Sequence, residues 1–135
     1  MPVADTELLF ALNPLDPKHE NALKILSKLR GRLFVPDTVL LEFEIVLKSR
    51  GRSIDEIRRA FLALKRIMLN YEVNEVKTID TVMLLHHLEL MEKYNLSFFD
   101  SLIASSALIV DGVIISDDKS FDLVEGLKRI PITAN

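Results

Sequence analysis

The candidate strands in this chain are short and largely apolar, all but the last pair are separated by a helical stretch, and that alternation narrows the fold more than any other feature. The clearest case is Val113-Ile114-Ile115-Ser116, which stands between Gly112 and Asp117-Asp118 and follows an almost wholly apolar helical run. A strand without a polar face has to be covered on both sides, and helices alternating with such strands supply the cover. The expectation is a three-layer α/β fold, a short parallel sheet flanked by helices. Apolar residues make up 49% of the 135, enough for one core, so a single domain over residues 1–135 is expected.

The other elements follow from local signals. Val3-Ala4 reads as a very short first strand running into Asp5, with Leu8, Leu9, Leu12 and Leu15 at helical spacing behind it and a turn at Asn13-Pro14. Helices are expected over residues 17–30, 37–48, from the Ser53-Ile54-Asp55-Glu56 capping box to about Leu69, 79–94, and from Ser97 to Val110. The 37–48 helix carries apolar residues on most of its circumference and should be buried on more than one side. Short strands are expected at Arg32-Leu33-Phe34-Val35, at Glu72-Val73 and, at an edge because of its proline, at Ile130-Pro131-Ile132.

Several classes of protein are disfavoured. With no cysteine, disulfides and thiolate metal sites are excluded. No apolar stretch is long enough to span a membrane and no signal peptide is visible, so a cytoplasmic location is expected. The net charge of −3 is polarised: residues 48–66 carry seven basic side chains against Asp55 and Glu56, a local +5 that leaves −8 elsewhere. Arg50, Arg52, Arg58 and Arg59 in that stretch form a candidate surface for RNA or for an acidic partner. A solvated helix-loop-helix is the plainer account.

Four acids stand out. Asp5 and Asp118 each follow a strand, where open α/β sheets bind their ligands. Asp100 lies in the first turn of the apolar helix that feeds the second of those strands. Glu42 interrupts the apolar run of the 37–48 helix, where an acid needs a partner or a cation. Each also has an ordinary role: a cap for Asp5 or Asp100, a turn for Asp118, an arginine partner for Glu42. Convergence would change the balance. Two carboxylates 5 Å apart repel by roughly 3 kcal/mol at an effective dielectric near 20, so a cluster of them requires a cation or shared protons. Mg²⁺ or Mn²⁺ suits an all-oxygen set and would activate a water against a phosphodiester.

Asp5-Thr6, Val35-Pro36 followed by Leu41-Glu42-Phe43, the run from Leu96 to Ala104 through Ser97-Phe98-Phe99-Asp100, and Ile115-Ser116-Asp117-Asp118-Lys119-Ser120-Phe121 together resemble the PIN domain over essentially the whole chain. The resemblance implies a Rossmann-like parallel sheet, Mg²⁺- or Mn²⁺-dependent endoribonuclease activity and frequent homodimers. Small members resemble the VapC toxins of type II toxin–antitoxin pairs, whose VapB-like antitoxin tail lies on the side of the basic stretch. Carried over by position, the metal-binding and catalytic acids are Asp5, Glu42, Asp100 and Asp118, with Thr6 and Ser116 as hydroxyls lining the site. The chain departs from the family pattern at Glu7, where Asn or Ser is usual, and at Ser120, where many members have an acid. Asp117 and Asp122 are the candidate auxiliary acids.

His86-His87 has no third ligand at useful spacing and reads as a partly exposed pair. Phe98 and Phe99 read as core residues. The alternative to a nuclease is a non-catalytic PIN-like scaffold for RNA or protein, which Glu7 favours. A phospho-acceptor regulator is disfavoured because it needs a paired acid after the first strand, a central strand-end aspartate and a later strand-end lysine, and a haloacid-type phosphatase because it needs Asp-x-Asp where this chain reads Asp5-Thr6-Glu7.

Overall fold

The computed structural model describes residues 1–133. Five parallel strands form one sheet: β1 (Val3–Ala4), β2 (Phe34–Pro36), β3 (Asn74–Val76), β4 (Val113–Ile115) and β5 (Lys128–Ile130), in the order β3-β2-β1-β4-β5. The order reverses direction between β1 and β4, and crevices at such switch points are where doubly wound sheets take their ligands. The strands are joined by α1 (Thr6–Phe10) and α2 (His19–Lys28), then α3 (Asp37–Ser49) and α4 (Ile54–Asn70), then α5 (Thr81–Tyr94) and α6 (Phe98–Val110). A short 3₁₀ turn, Lys119–Leu123, precedes β5. This is the α/β architecture expected from the alternation, and among the described residues no helix is long and apolar enough to cross a membrane.

Burial explains why the central strands are apolar throughout. Val3, Ala4, Val35, Ile114 and Ile115 are sealed between the helical layers, joined by Leu8, Leu26, Val39, Ile103 and Phe121. The middle of α6, from Ser101 to Ala107, is buried without interruption, and its serines are tied down by hydrogen bonds as burial demands. Ser106 Oγ meets Thr38 Oγ1 at 2.7 Å and Thr78 Oγ1 at 2.8 Å. Asp37 extends this network: its carboxylate accepts from Thr78 Oγ1 at 2.7 Å and from the amides of Thr78 and Ile79 at 3.0 Å. The first turn of α3 is thereby fastened to the connection between β3 and α5.

Helix ends follow the sequence signals. The Ser53–Glu56 capping box forms in both directions, at 3.1 and 3.0 Å. Gly112 ends α6 with φ of 72°, and a Cβ there would lie 2.9 Å from the Gly126 carbonyl oxygen, so this position needs glycine.

Four expectations require correction. The strand expected at Glu72-Val73 begins two residues later, because α4 closes through Glu72 in a left-handed conformation and the Val73 amide donates back to the Met68 carbonyl. The last strand stops at Ile130, since Pro131 has no amide to continue the ladder. α3 buries Val39 and Phe43 but leaves Leu41 and Ile45 exposed; α4 does not cover that side. Finally, His87 is buried and bonded through Nδ1 to Ser101 Oγ at 2.8 Å, whereas Phe98 is exposed, its ring 5.3 Å from that of His87. The α5–α6 contact takes in the imidazole and leaves the phenyl ring at its rim.

Candidate functional site

Asp5 leaves β1 at the switch point and caps α1. Its amide donates to the Ile115 carbonyl, which ties it to β4. The residue is 7% exposed, and its carboxylate is gripped on both oxygens, by the Thr6 amide at Oδ1 (2.7 Å) and by Ser116 Oγ at Oδ2 (2.6 Å). Burial is the chief reason its pKa rises from 3.8 to about 7. The Ser116 and Thr6 bonds oppose the rise, and the charges of Glu7 and Glu42 add to it.

Glu42 and Asp100 respond to the same environment from two other helices. Burial raises the pKa of Glu42, and the charges of Asp100 and Asp118 raise it further. Asp100 is likewise raised by burial and then by Asp118, against a bond from Ser97 that lowers it. The Ser97 hydroxyl caps α6 by accepting the Asp100 amide at 3.2 Å. Asp118 begins the 3₁₀ turn, accepting the Ser120 amide at 2.9 Å while its own amide donates to Ser116 Oγ at 3.0 Å. Ser116 thus touches Asp5 through its hydroxyl proton and Asp118 through its lone pair.

The four acids named from the sequence therefore lie within one another's fields: Asp5 with Glu42, Glu42 with Asp100 and Asp118, Asp100 with Asp118. They are coupled through space without being gathered into a ligand shell. Among the described residues, no three His, Asp or Glu side chains stand close enough to hold a metal ion as placed. The donor set nevertheless fits a hard cation, being all oxygen. Two buried hydroxyls, Thr6 Oγ1 and Ser120 Oγ, have no hydrogen-bond partner among the described residues. Thr6 Oγ1 lies close enough to Glu42 to favour its ionised form, but not in hydrogen-bonding geometry.

The auxiliary acids are occupied elsewhere. Asp122 forms a two-pronged pair with Arg129, at 2.9 and 3.1 Å, and Arg129 also donates to the Ser116 carbonyl. Asp117 receives the Ile132 and Thr133 amides on Oδ1, and Thr133 Oγ1 (2.6 Å) and Lys18 Nζ (2.7 Å) on Oδ2. Burial alone would raise the Asp117 pKa, but the Lys18 and Thr133 contacts hold it well below the usual carboxylate range. Neither side chain is available to replace the acid absent at Ser120.

Sequence reasoning missed Lys18. Its ammonium lies 3.4 Å from Glu7 Oε2 as well as 2.7 Å from Asp117, a role that nothing in its local sequence marks. Part of the basic stretch is paired: Arg58 and Arg59 with Asp55 of the same helix at 3.3 and 3.0 Å, Arg52 with Glu56 at 3.5 Å, and Lys65 with Glu75 of β3 at 2.6 Å. Arg50 instead covers the Phe10 ring at 4.7 Å. Nearby, Leu9, Phe10, Phe43, Leu47, Leu64 and Ile67 line an apolar groove of about 290 Å³ between α1, α3 and α4.

The family model for the PIN domain matches residues 3–127. Among solved structures, a toxin–antitoxin complex from Klebsiella pneumoniae aligns with a TM-score of 0.70 at 16% identity, covering 98% of each chain. A sarcin–ricin-loop-cleaving VapC toxin of Mycobacterium tuberculosis aligns with a TM-score of 0.70 at 19% identity, over 90% of this chain and 93% of that one. DNA-bound VapBC from Salmonella typhimurium aligns with a TM-score of 0.68 at 17% identity, over 98% and 100%. At such identities these likenesses establish the fold. No curated protein sequence matched the chain.

Proposed function

Because the chain belongs to the PIN domain family, we propose that it is a metal-dependent endoribonuclease that hydrolyses RNA phosphodiester bonds, acting as the toxin of a type II toxin–antitoxin pair. One observation carries this reading: a buried Asp5 at the switch point lies within the fields of Glu7 and Glu42, and Glu42 in turn within those of Asp100 and Asp118. Carboxylates held together this way oppose folding, and a domain with a stability of roughly 5–15 kcal/mol keeps them only for a use. Hard cations are that use.

Asp5, Glu42, Asp100 and Asp118 would hold Mg²⁺ or Mn²⁺. Such an ion supplies an acidified water and compensation for phosphate charge. The protein contributes the arrangement. Ser116 and the Thr6 amide fix the Asp5 oxygens in one orientation, and Ser116 also anchors the Asp118 amide. Glu42, Asp100 and Asp118 are half-buried and open to a substrate. Arg50, Arg52, Arg58 and Arg59 supply the phosphate contacts; exposed ion pairs of the Asp55 and Glu56 kind are weak and exchange readily for phosphate.

The toxin assignment draws support from solved neighbours that are toxin–antitoxin assemblies and from one that is a VapC toxin. The groove between α1, α3 and α4 suits the apolar face of a VapB-like antitoxin helix. The row of Leu84, Leu85 and Leu88 exposed along α5 suits a homodimer contact. A second reading, a non-catalytic scaffold that binds RNA or protein, draws on the fact that among the described residues no three acids are gathered as placed.

Cleavage of a mixed RNA substrate with Mn²⁺ tests the nuclease reading, comparing the native chain with Asp5→Asn and Asp118→Asn and with an EDTA control. Native cleavage that EDTA abolishes and both variants lose by 100-fold or more, roughly the scale of an essential charge-stabilising group, supports it. Equal activity in all three proteins refutes it. RNA bound but never cut selects the scaffold.

A further inference from the structure

Glu7 stands two residues after Asp5, where a carboxylate invites assignment as one more metal ligand. Its surroundings argue otherwise. Oε1 accepts the Asp117 amide from the turn that follows β4 and lies 3.1 Å from Ser116 Oγ, whose proton goes to Asp5 Oδ2 at 2.6 Å. Oε2 faces the Lys18 ammonium at 3.4 Å. Both oxygens are taken, and the charge already has a cation beside it. The same Lys18 bonds Asp117 at 2.7 Å, and Asp117 in turn holds the Ile132 and Thr133 amides. The result is a continuous clasp from α1, through the turn after β4, to the segment beyond β5.

We propose that Glu7 is a positioning residue: with its charge met by Lys18, it clasps the Ser116–Asp118 turn to the first turn of α1 and so sets the separation of Asp118 from Asp5, without itself binding the metal. This rests on the reading of the four acids given above. Chemistry separates a clasp from a ligand. A clasp needs an acceptor oxygen at Oε1, which glutamine retains. A ligand needs the charge, which glutamine lacks.

The test compares native protein, Glu7→Gln and Glu7→Ala in three measurements: Mn²⁺ affinity by calorimetry, amide hydrogen exchange at Asp117 without metal, and kcat and KM on RNA. The clasp predicts that Glu7→Ala accelerates exchange at Asp117 by about tenfold, the scale of a lost hydrogen bond. It also predicts a fall in kcat of about the same size with KM unchanged, while Glu7→Gln restores exchange, kcat and Mn²⁺ affinity to within about threefold of native. Loss of Mn²⁺ affinity in Glu7→Gln as complete as in Glu7→Ala overturns the proposal and makes Glu7 a ligand. Native-like exchange at Asp117 in Glu7→Ala overturns it as well. If Glu7→Ala does not fold, Glu7→Gln decides alone: retained protection and affinity support the clasp, and loss of either refutes it. Should the native protein neither bind Mn²⁺ nor cut RNA, the nuclease reading fails, and exchange at Asp117 still judges the clasp.

Discussion

Replacing Asp5 with Asn should stabilise the metal-free protein, and by an amount that grows with pH. In the unfolded chain this carboxyl ionises near 3.8; in the folded protein it does so near 7. Below pH 4 it is protonated in both states and opposes nothing. Between pH 4 and 7 the unfolded chain gives up its proton and the folded chain does not, so stability is lost progressively, and above 7 the loss is complete. At about 1.4 kcal/mol per pH unit, the whole effect is about 4 kcal/mol. Asn is nearly isosteric and can donate to Ser116 Oγ, whose proton can then turn to Glu7 Oε1 at 3.1 Å. Any change in hydrogen bonding is independent of pH and drops out of the comparison. Urea denaturation in EDTA from pH 4 to 8.5 should show Asp5→Asn gaining on the native protein by about 4 kcal/mol. Saturating Mn²⁺ at pH 8 should recover most of the deficit in the native protein alone. Parallel pH profiles for the two proteins would refute the argument, since they would mean that Asp5 ionises in the fold as it does in water.

Other outcomes follow from the packing. Gly112→Ala should lower stability by about 1–3 kcal/mol in urea, because its backbone is left-handed and its Cβ would meet the Gly126 carbonyl at 2.9 Å; an unchanged midpoint would refute this. Asp37→Ala strands the donors of Thr78 and Ile79 and should cost about 2 kcal/mol or more, with amide exchange at Thr78 and Ile79 rising ahead of the rest of the chain. Leu88→Glu on the exposed row of α5 should convert a dimer to a monomer in light scattering without a loss of helicity; an unchanged mass would remove α5 from the interface. Replacing Arg52, Arg58 and Arg59 together with Gln should weaken RNA binding and flatten its salt dependence by up to about three phosphate contacts. An unaltered slope would show that these arginines serve only Asp55 and Glu56.

The sheet was legible because its central strands have no polar face and each is bracketed by helix signals. Three of the four acids could be singled out for a related reason, Asp5 and Asp118 where strands end and Glu42 where a bare carboxylate is expensive, while Asp100 stood out by the family resemblance of its segment. What stayed hidden was pairing across distance. Lys18 and Asp117 are 99 positions apart in the chain and neither carries a local mark of the other. Asp122 looks available until Arg129, seven residues on, is seen to turn back toward it. His87 and Phe98 exchanged their expected places because hydropathy ranks a phenyl ring above an imidazole, whereas the α5–α6 contact offers the imidazole a serine hydroxyl and offers the phenyl ring only the rim. Burial of a polar ring depends on a partner that only the tertiary structure supplies.

The turn bearing Asp118 is anchored from opposite directions along the polypeptide, to Glu7 in α1 and to Ile132 and Thr133, 15 and 16 residues after Asp117. A growing chain therefore cannot align Asp118 with Asp5 until nearly all 133 of these residues have been made. A partial product carries Asp5 and Glu42 but not the element that completes the set. Asp118 thus takes its place only when segments from both sides of β4 have closed on its turn.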